Sequence, residues 1–388
     1  MRLFFHQQKS AENKLFWQPS LIHGFTEQDL LRFNLATTNI EYLKFKEGVF
    51  HAEWLWIIPP FGTYSGGHAD IFMLAASIKE KFNVRVIIAI SEQINDFDLD
   101  QLKKSLRDNY EVSELELVKF TSIMHLTFGN VVATGWQTVA LSLGINAKSR
   151  YYFVQDYEPM FFASGAIQEI VKSLYLKNFT YFVIGPWLSR YLSDFHDVDS
   201  FTIPFGFDPN YYFSHDGSGD KANKRDKIVI YARLSSARRA AEVAIEALKI
   251  AAKDFDPEDE IVFIGDQIEL KLKIKNRSYA FLSKSDLGSL YRKAKLVIVF
   301  STTNTSLIPI EALACGAHVL TNDNSINRLN LEGMPIHYAN LDPYSVATKI
   351  IQVTNSPHVV FGEEVAFKLE KLKWFYAVDD FLKWIPNV

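Results

Sequence analysis

The chain has 388 residues, 48% of them hydrophobic and 22% charged, which is typical of a globular protein rather than a disordered or fibrous one. Its formal net charge is −4, from 41 basic and 45 acidic residues, so no overall field attracts nucleic acid or anionic lipid. The single cysteine, Cys315, excludes an internal disulfide framework and a cysteine-based zinc site. The first 20 residues lack a signal-peptide pattern and no apolar run reaches about 18 residues, so we expect a cytoplasmic protein.

The first half of the chain alternates apolar runs with helical patterns, which is typical of βα units around a parallel sheet. The predicted strands are Trp54–Pro59, Val84–Ile90, Asn130–Thr134, Tyr151–Gln155, Tyr181–Ile184 and Ser200–Pro204. Helical patterns lie between them, for example at His68–Phe82 and Gly165–Asn178.

A polar stretch at His215–Arg225 is rich in Gly, Ser, Lys and Asp and predicts an interdomain linker. The same alternation then restarts. Its predicted strands are Lys227–Ala232, Glu260–Gly265, Leu296–Phe300 and His318–Thr321, with helices near Arg239–Lys253, Leu287–Lys293 and Ile310–Cys315. We therefore predict an α/β protein of two Rossmann-like parallel-sheet domains that face each other across a cleft. Such sheets bind ligands at the carboxyl ends of their strands, so we expect the site in that cleft.

A glycine turn, Gly66-Gly67 followed by His68, connects the first strand to the first helix. Paired glycines let the backbone approach a ligand closely, and the amides of a helix start favour an anion. A plain strand-to-helix turn would need glycine as well, and a lone histidine is more often structural than ligand-binding. Both interpretations stay open from these residues alone.

Two arginines, Arg233 and Arg238, follow the first strand of the second half. A guanidinium is always charged and bonds phosphate oxygens in a bidentate fork, so this position suits a diphosphate in the cleft. The alternative is a solvated basic helix start. We favour the diphosphate, because a helix N-terminus disfavours cations unless an anion lies nearby.

A polar loop leads from the strand ending at Phe300 into a short apolar helix that carries Glu311. A carboxylate among apolar neighbours is costly unless it is paired, and accepting hydrogen bonds from a ribose diol is one good use for it. A structural acid that caps local amides is the alternative. Cys315, in the same helix, is interpreted as a small buried hydrophobe.

Two acids, Asp156 and Glu158, lie at the end of the strand Tyr151–Gln155. Residues two apart at a strand end project on one side, where they could bind sugar hydroxyls or act as a base. Equally, they could be solubilising residues of a loop.

Together these segments resemble retaining GT-B glycosyltransferases of the large family 4 type. The resemblance rests on Arg233 with Arg238, the strand IVFIGD that contains Gly265, and the block PIEALACGAHVLTND around Glu311. It extends over most of the chain, including the segment IPFGFD at 203–208. Within that family, the strings FVQDYEP and VVATGWQT look closest to bacterial rhamnosyltransferases that build surface polysaccharides.

The resemblance implies transfer of a sugar, with L-rhamnose from dTDP-L-rhamnose as the best guess, to a saccharide or lipid-linked acceptor with retained configuration. It also implies no cofactor, no metal and no nucleic acid, and it leaves open a peripheral contact with the inner face of the membrane. The implied domains are an acceptor-binding domain over 1–205, a nucleotide-sugar domain over 206–371, and a helix at about 372–388 that packs back on the first. The strings around Asp98 that resemble a metal-binding DxD are interpreted as a solvated turn.

The implied site residues fall into three overlapping sets. The catalytic set is Arg233, Arg238, Asp156 and Glu158; the donor set is Gly66, Gly67, Arg233, Arg238, Gly265, Thr303, Ser306, Leu307 and Glu311; the acceptor set is His68, Thr134, Trp136, Asp156, Tyr157 and Glu158. The chain departs from the family where Thr303 replaces the usual acid that contacts the transferred sugar. Another hexosyltransferase, a nucleotide-sugar 2-epimerase and a non-catalytic nucleotide-sugar-binding protein are the alternatives.

Aromatic residues make up 14% of the chain. Those in predicted strands are expected to fill the core. Others lie outside strands, and the resemblance places them on the acceptor side, where rings stack on sugars or rest on a membrane; they are Tyr157, Phe161, Phe162, Trp187, Tyr211 and Tyr212.

Overall fold

A computed structural model describes residues 45–62, 65–91, 97–112, 114–176, 178–214, 224–356 and 361–385. Most of the predicted linker, including residues 216–220, lies outside these described residues.

The first half of the chain folds around a sheet of seven parallel strands. The strands are β1 Ala52–Ile58, β2 Val86–Ile90, β3 Glu116–Lys119, β4 Thr127–Ala133, β5 Asn146–Val154, β6 Thr180–Ile184 and β7 Ser200–Ile203, in the spatial order β3-β2-β1-β4-β5-β6-β7. The helices of this half are α1 Gly66–Phe82, α2 Leu99–Tyr110, α3 Trp136–Leu143, α4 Ala166–Lys172 and α5 Pro186–His196. The apolar runs WLWII of β1, VIIAI of β2 and VVA of β4 are buried because helices cover both faces of the sheet.

The second half forms a sheet of six parallel strands. They are β8 Lys227–Ala232, β9 Glu260–Gly265, β10 Lys275–Tyr279, β11 Ala294–Ile298, β12 His318–Asn322 and β13 Ile336–Ala339, in the order β10-β9-β8-β11-β12-β13. The helices are α6 Ala241–Ala251, α7 Lys284–Arg292, α8 Ile308–Ala314, α9 Ser325–Asn330, α10 Pro343–Thr354, α11 Glu363–Glu370 and α12 Trp374–Trp384. The prediction of two parallel-sheet α/β domains is confirmed.

Three strands escaped the sequence prediction, namely β3, β10 and β13. All three lie at the edge of a sheet, and two of them read ELVK and KNRSY, so they lack the apolar runs that mark buried strands. The helix predicted over Gly165–Asn178 is shorter than expected, ending at Lys172.

The last helix, α12, packs on the first sheet rather than on the second. The ring centroid of Phe381 lies 5.0 Å from that of Phe182 in β6, and that of Trp384 lies 4.8 Å from that of Phe201 in β7. The chain crosses between the domains beside this helix, where Phe207 forms a bridge with Lys373. Much of the aromatic content therefore fills the core, as expected for the strand residues.

Both sheets reverse their strand order at one point, between β1 and β4 in the first and between β8 and β11 in the second. The carboxyl ends of strands beside such a switch point form a crevice. The segments that follow β1, β5, β8, β9 and β11 carry most of the predicted site residues, so the topology brings them together. Within the described residues, no helix has the length and apolar composition needed to cross a membrane.

Candidate functional site

A cavity of about 460 Å³ lies between the two domains and is lined by residues of both. Its size is within the range of small-molecule sites. The predicted site residues that line it are Gly66, Gly67, His68, Thr134, Asp156, Glu158, Arg233, Arg238, Gly265, Ser306, Leu307 and Glu311.

Arg233 lies in the loop that follows β8, and this loop is fixed by its neighbour β9. Gly265 has φ +119°, and a Cβ there would come within 2.6 Å of the Ala232 carbonyl oxygen, so only glycine lets the two strand ends approach so closely. The next residue, Asp266, accepts a hydrogen bond from the backbone N–H of Leu234 at 2.7 Å. The exposed guanidinium of Arg233 is thus presented from a braced loop.

Arg238 and Arg239 follow in a single 3-10 turn and have different surroundings. The Nη1 of Arg238 donates to Oδ2 of Asp156 at 2.7 Å, which joins the second domain to the first. Arg239 is 9% exposed, and its guanidinium lies 5.6 Å from the ring centroid of Tyr231. Its Nη1 has no hydrogen-bond partner. Burial lowers the pKa of Arg239, and the charge of Arg238 acts in the same direction, yet a guanidinium stays protonated at neutral pH.

The polar loop after β11 contacts the first domain directly. The hydroxyl of Thr303 donates to Oδ2 of Asp156 at 3.1 Å, and the side-chain amide of Asn304 donates to the carbonyl oxygen of Gln155 at 2.7 Å. Both residues are buried, and Thr303 does not line the cavity. The expectation that Thr303 contacts the donor is therefore corrected: its hydroxyl lies behind Asp156 and orients that carboxylate.

Ser306 and Glu311 lie farther along the same segment, before and within α8. The hydroxyl of Ser306 is buried without a hydrogen-bond partner. The carboxyl of Glu311 is hydrogen-bonded to the side chain of Tyr212. Burial raises the pKa of this carboxyl to about 7, although the hydrogen bond to Tyr212 and the charge of Lys284 lower it. Its partner is therefore a tyrosine from the interdomain crossover rather than the local amides of the structural alternative.

The glycine turn of the first domain opens α1. A Cβ on Gly67 would lie 3.0 Å from Oε1 of Gln155, and the side chain of Gln155 also donates to the Gly67 carbonyl oxygen at 2.9 Å. A Cβ on Gly66 would meet only ordinary contact distances, so space alone does not require glycine there.

His68 lines the cavity and is neutral at physiological pH. Burial lowers its pKa to about 4, although a hydrogen bond to the backbone of Pro59 acts the other way. Proline has no N–H, so the histidine ring donates to the Pro59 carbonyl oxygen. Its Nε2 has no partner, so the bond uses Nδ1 and Nε2 is left as a buried hydrogen-bond acceptor.

Asp156 and Glu158 are not solubilising loop residues, so that alternative is wrong. The Asp156 side chain is 14% exposed, and its Oδ1 has no hydrogen-bond partner. Burial raises its pKa although Arg238 and Arg239 act in the opposite direction. Glu158 accepts the backbone N–H of Trp136 at 2.6 Å and the hydroxyl of Tyr152 at 2.7 Å, and burial raises its pKa to about 7.

Two residues of the predicted acceptor set lie outside the cavity lining, which corrects their assignment. Trp136 is buried with its ring edge-on to Phe162, and its backbone N–H donates to Glu158. Tyr157 is buried, and its hydroxyl is hydrogen-bonded to Nε2 of His196 at 2.8 Å. Trp187, expected on the acceptor side, is likewise buried in the core. Thr134 does line the cavity, but its hydroxyl donates to the Ile57 carbonyl oxygen at 2.8 Å.

Asp70 and Arg239 are the charged cavity residues that the sequence prediction missed. Asp70 lies in α1, is 5% exposed, and has a pKa raised well above its usual range by burial and then by the charge of Glu311. The sequence could have indicated Asp70, because an acid lies there among the apolar residues of GGHADIFML. Arg239 was visible as the neighbour of Arg238, but spacing alone could not say which of the two is buried.

The described residues hold no group of three or more histidine, cysteine or acidic side chains arranged to bind a metal ion. Asp98, from the strings that resemble a DxD, caps the N-terminus of α2 by accepting from the backbone N–H of Asp100 at 2.9 Å.

Residues 226–351 match the family described as "WsaF, C-terminal domain". The chain is also 24% identical over 343 residues to the O-antigen biosynthesis protein RfbC of Myxococcus xanthus, covering 86% of this chain and 27% of that protein. The chain thus spans about a quarter of the length of this curated relative.

Two examples represent the solved structures that share the fold. TarM from S. aureus, a mutant in complex with fondaparinux, alpha-GlcNAc-glycerol and UDP, is similar with a TM-score of 0.64 and 12% identity, covering 85% of this chain and 98% of that one. Sucrose-phosphate synthase from Thermosynechococcus elongatus has a TM-score of 0.63 and 13% identity, covering 85% and 97%. At this identity the likeness shows the fold, which is the GT-B arrangement of two facing parallel-sheet domains.

Proposed function

We propose that this protein is a glycosyltransferase that moves a sugar from a nucleoside diphosphate sugar to a hydroxyl of a saccharide in the synthesis of bacterial surface polysaccharide. The observation that carries the proposal is the set of polar atoms left without partners around the cavity. Nη1 of Arg239 and Oγ of Ser306 come from the second domain, and Nε2 of His68 and Oδ1 of Asp156 come from the first. Buried polar atoms are normally satisfied, so these four favour a polar ligand.

The second-domain side of the cavity suits the diphosphate. Arg233, Arg238 and Arg239 all line it, and charge-assisted hydrogen bonds to phosphate are among the strong ones. In a sugar transfer the diphosphate leaves as an anion, so fixed cations that stabilise it lower the barrier. Glu311 lies on the same side and would accept hydrogen bonds from the nucleoside ribose.

The first-domain side suits hydroxyl groups. His68 is neutral with a free acceptor nitrogen, and Asp156 offers a free carboxylate oxygen. Such acceptors would orient the hydroxyls of the transferred sugar and of the acceptor, and in this proposal Asp156 takes the proton of the attacking hydroxyl.

The finer specificity rests on the resemblance described above. We propose L-rhamnose from dTDP-L-rhamnose as the transferred sugar, retention at the anomeric carbon, and a saccharide or lipid-linked oligosaccharide acceptor at a cytoplasmic membrane face. The similarity to RfbC, an O-antigen biosynthesis protein, supports polysaccharide synthesis.

A thermal-shift panel of nucleotide sugars tests the proposal with the full chain. A ligand present at 100 times its dissociation constant adds about 2.7 kcal/mol to the free energy of unfolding. We expect at least one nucleoside diphosphate sugar to raise the melting temperature, and the matching free nucleoside to raise it much less. No shift with any member of the panel would contradict the proposal.

Product analysis separates the transferase from its alternatives. With the stabilising donor and a saccharide acceptor, a transferase forms a glycoside and free nucleoside diphosphate. An epimerase would instead invert a sugar carbon without needing an acceptor, and a binding protein would bind without turnover.

A further inference from the structure

Arg238 and Arg239 are neighbours in the turn Ala237–Arg239, and both line the cavity. The resemblance to family 4 glycosyltransferases implies that Arg238, five residues after Arg233, is the second cation that binds the donor. The contacts of the two side chains point the other way.

Arg238 already has a partner of opposite charge. Its Nη1 lies 2.7 Å from Oδ2 of Asp156, which also accepts from Thr303 at 3.1 Å. Its guanidinium also lies 4.8 Å from the ring centroid of Phe161. A diphosphate that bound Arg238 would have to compete with this carboxylate, so part of its binding free energy would be lost in breaking the ion pair.

Arg239 is in the opposite situation. It is 91% buried, its Nη1 has no hydrogen-bond partner, and its guanidinium carbon lies 5.6 Å from the ring centroid of Tyr231. Asp156 attracts this charge without a hydrogen bond to Nη1, and a buried N–H of a charged group that lacks a partner is costly, so a bound anion that accepts from Nη1 removes that cost. The side chain lines the cavity, so an anion in the cavity can reach it.

We propose that Arg239, together with Arg233, is the guanidinium that binds the diphosphate, and that Arg238 is a positioning residue that holds Asp156 across the interdomain cleft. This assignment rests on the proposed function. It changes which neighbouring arginine the leaving group contacts, and it makes the Arg238–Asp156 pair a link between the domains.

Titration calorimetry on the full chain tests the assignment, with inorganic pyrophosphate, UDP and dTDP as probes. The matched variants are Arg239→Gln and Arg238→Gln, which remove the same charge one residue apart. Hydrogen bonds to a charged group contribute about 1.5–3 kcal/mol, which corresponds to a loss of about 10- to 160-fold in affinity. We expect a loss of this size for Arg239→Gln with every probe, and less than about threefold for Arg238→Gln.

Kinetic measurements distinguish a positioning role of Arg238 in catalysis from a role in folding alone. With the donor and acceptor found in the panel above, Arg238→Gln is expected to lower kcat by at least about tenfold while the KM for the donor stays close to that of wild type. Arg239→Gln is expected to raise that KM.

Equal losses of pyrophosphate affinity in the two variants, or a larger loss in Arg238→Gln, would overturn the assignment while leaving the proposed function intact. A wild-type chain that binds none of the three probes would instead overturn the proposed function. If Arg239→Gln does not fold, Arg239→Lys and Arg238→Lys replace the pair: losing the bidentate fork should weaken pyrophosphate binding more at 239 than at 238, and the reverse order overturns the assignment.

Discussion

The two sides of the interdomain cavity differ in the groups they present. The arginines of its lining, Arg233, Arg238 and Arg239, come from the second domain together with Glu311, whereas the first domain contributes the acceptor atoms Nε2 of His68 and Oδ1 of Asp156. A cavity with cations on one side and hydrogen-bond acceptors on the other suits a ligand that is anionic at one part and rich in hydroxyls at another. A sugar attached to a diphosphate has that character.

The two sides meet where Arg238 pairs with Asp156 and where Asn304 donates to backbone carbonyl oxygens of the first domain. These contacts are short and lie beside the cavity, so the arrangement of the two sides depends on them. The comparison thus separates groups that face the ligand from groups that hold the domains in place.

The largest effect is expected from removing the cationic side. In the double variant Arg233→Ala, Arg239→Ala, two charge-assisted hydrogen bonds of about 1.5–3 kcal/mol each are lost. Sugar transfer should slow by about 10² to 10⁴, measured as the release of nucleoside diphosphate at saturating acceptor. Arg190→Ala is the matched control, since this arginine is exposed, pairs with nearby Asp194 and does not line the cavity. An unchanged rate in the double variant would contradict the assignment of the second-domain side to the diphosphate.

A second prediction concerns the contact between the two sides. Asn304 is 1% exposed and donates to the carbonyl oxygens of Gln155 and Ile184. In Asn304→Ala these buried acceptors lose their partner, which costs about 1–3 kcal/mol for each unsatisfied group.

Urea unfolding should therefore show a lower midpoint for Asn304→Ala, while Asn210→Ala, at an exposed asparagine, changes it little. Equal midpoints for the two variants would mean that the cross-domain contact does not contribute to stability.

A third prediction separates the nucleoside part of the ligand from its phosphates. At pH 8, where the Glu311 carboxyl with its pKa of about 7 is mostly charged, Glu311→Gln should weaken the binding of UDP or dTDP by about tenfold, because a charged acceptor becomes neutral. Pyrophosphate affinity should change little. Titration calorimetry with the nucleotides and with pyrophosphate measures both affinities. An equal loss of affinity for pyrophosphate would mean that Glu311 acts at the phosphates instead.

The smallest effect is expected from pH. Burial raises the pKa of Glu158 from its ordinary value to about 7, so the folded chain binds this proton more tightly than the unfolded chain does. The free energy of unfolding should therefore fall as pH rises from about 4.5 to 7, by an amount that Glu158→Gln reduces.

The glutamine at 158 can still accept from Trp136 and Tyr152, so the fold should be kept. Chemical denaturation at pH 5 and pH 7.5 measures the difference, with Glu169→Gln as the control at an exposed acid. An unaltered pH dependence in Glu158→Gln would show that this carboxyl ionises normally.

Buried strands such as β1 and β9 could be predicted from the sequence because their apolar runs are continuous. The edge strand β10, KNRSY, could not, because its pairing with β9 comes from tertiary structure and not from its own hydrophobicity. The site residues that directly follow strands could also be predicted, because the carboxyl ends of parallel strands lie at the same edge of a sheet.

The sequence could not show which side chains of the two domains form ion pairs and hydrogen bonds across the cleft. Nothing in the spacing of Asp156 and Arg238 reveals that they form an ion pair 82 positions apart, nor that Nη1 of Arg239 is left without a hydrogen-bond partner. Tyr157 and Trp136 were placed at the site because of their neighbours in sequence, whereas packing against the helices directs their rings into the core.

The most direct test of the central claim is the ratio of glycoside formed to nucleoside diphosphate released, measured with the wild-type chain, its stabilising donor and a saccharide acceptor. The account predicts one glycoside for each nucleoside diphosphate. It also predicts that Asp156→Asn, on the first-domain side, lowers the formation of both products together. A ratio near zero with continued release of nucleoside diphosphate, or the appearance of an epimerised nucleotide sugar, would contradict the claim that the two sides of the cavity act on a donor and an acceptor.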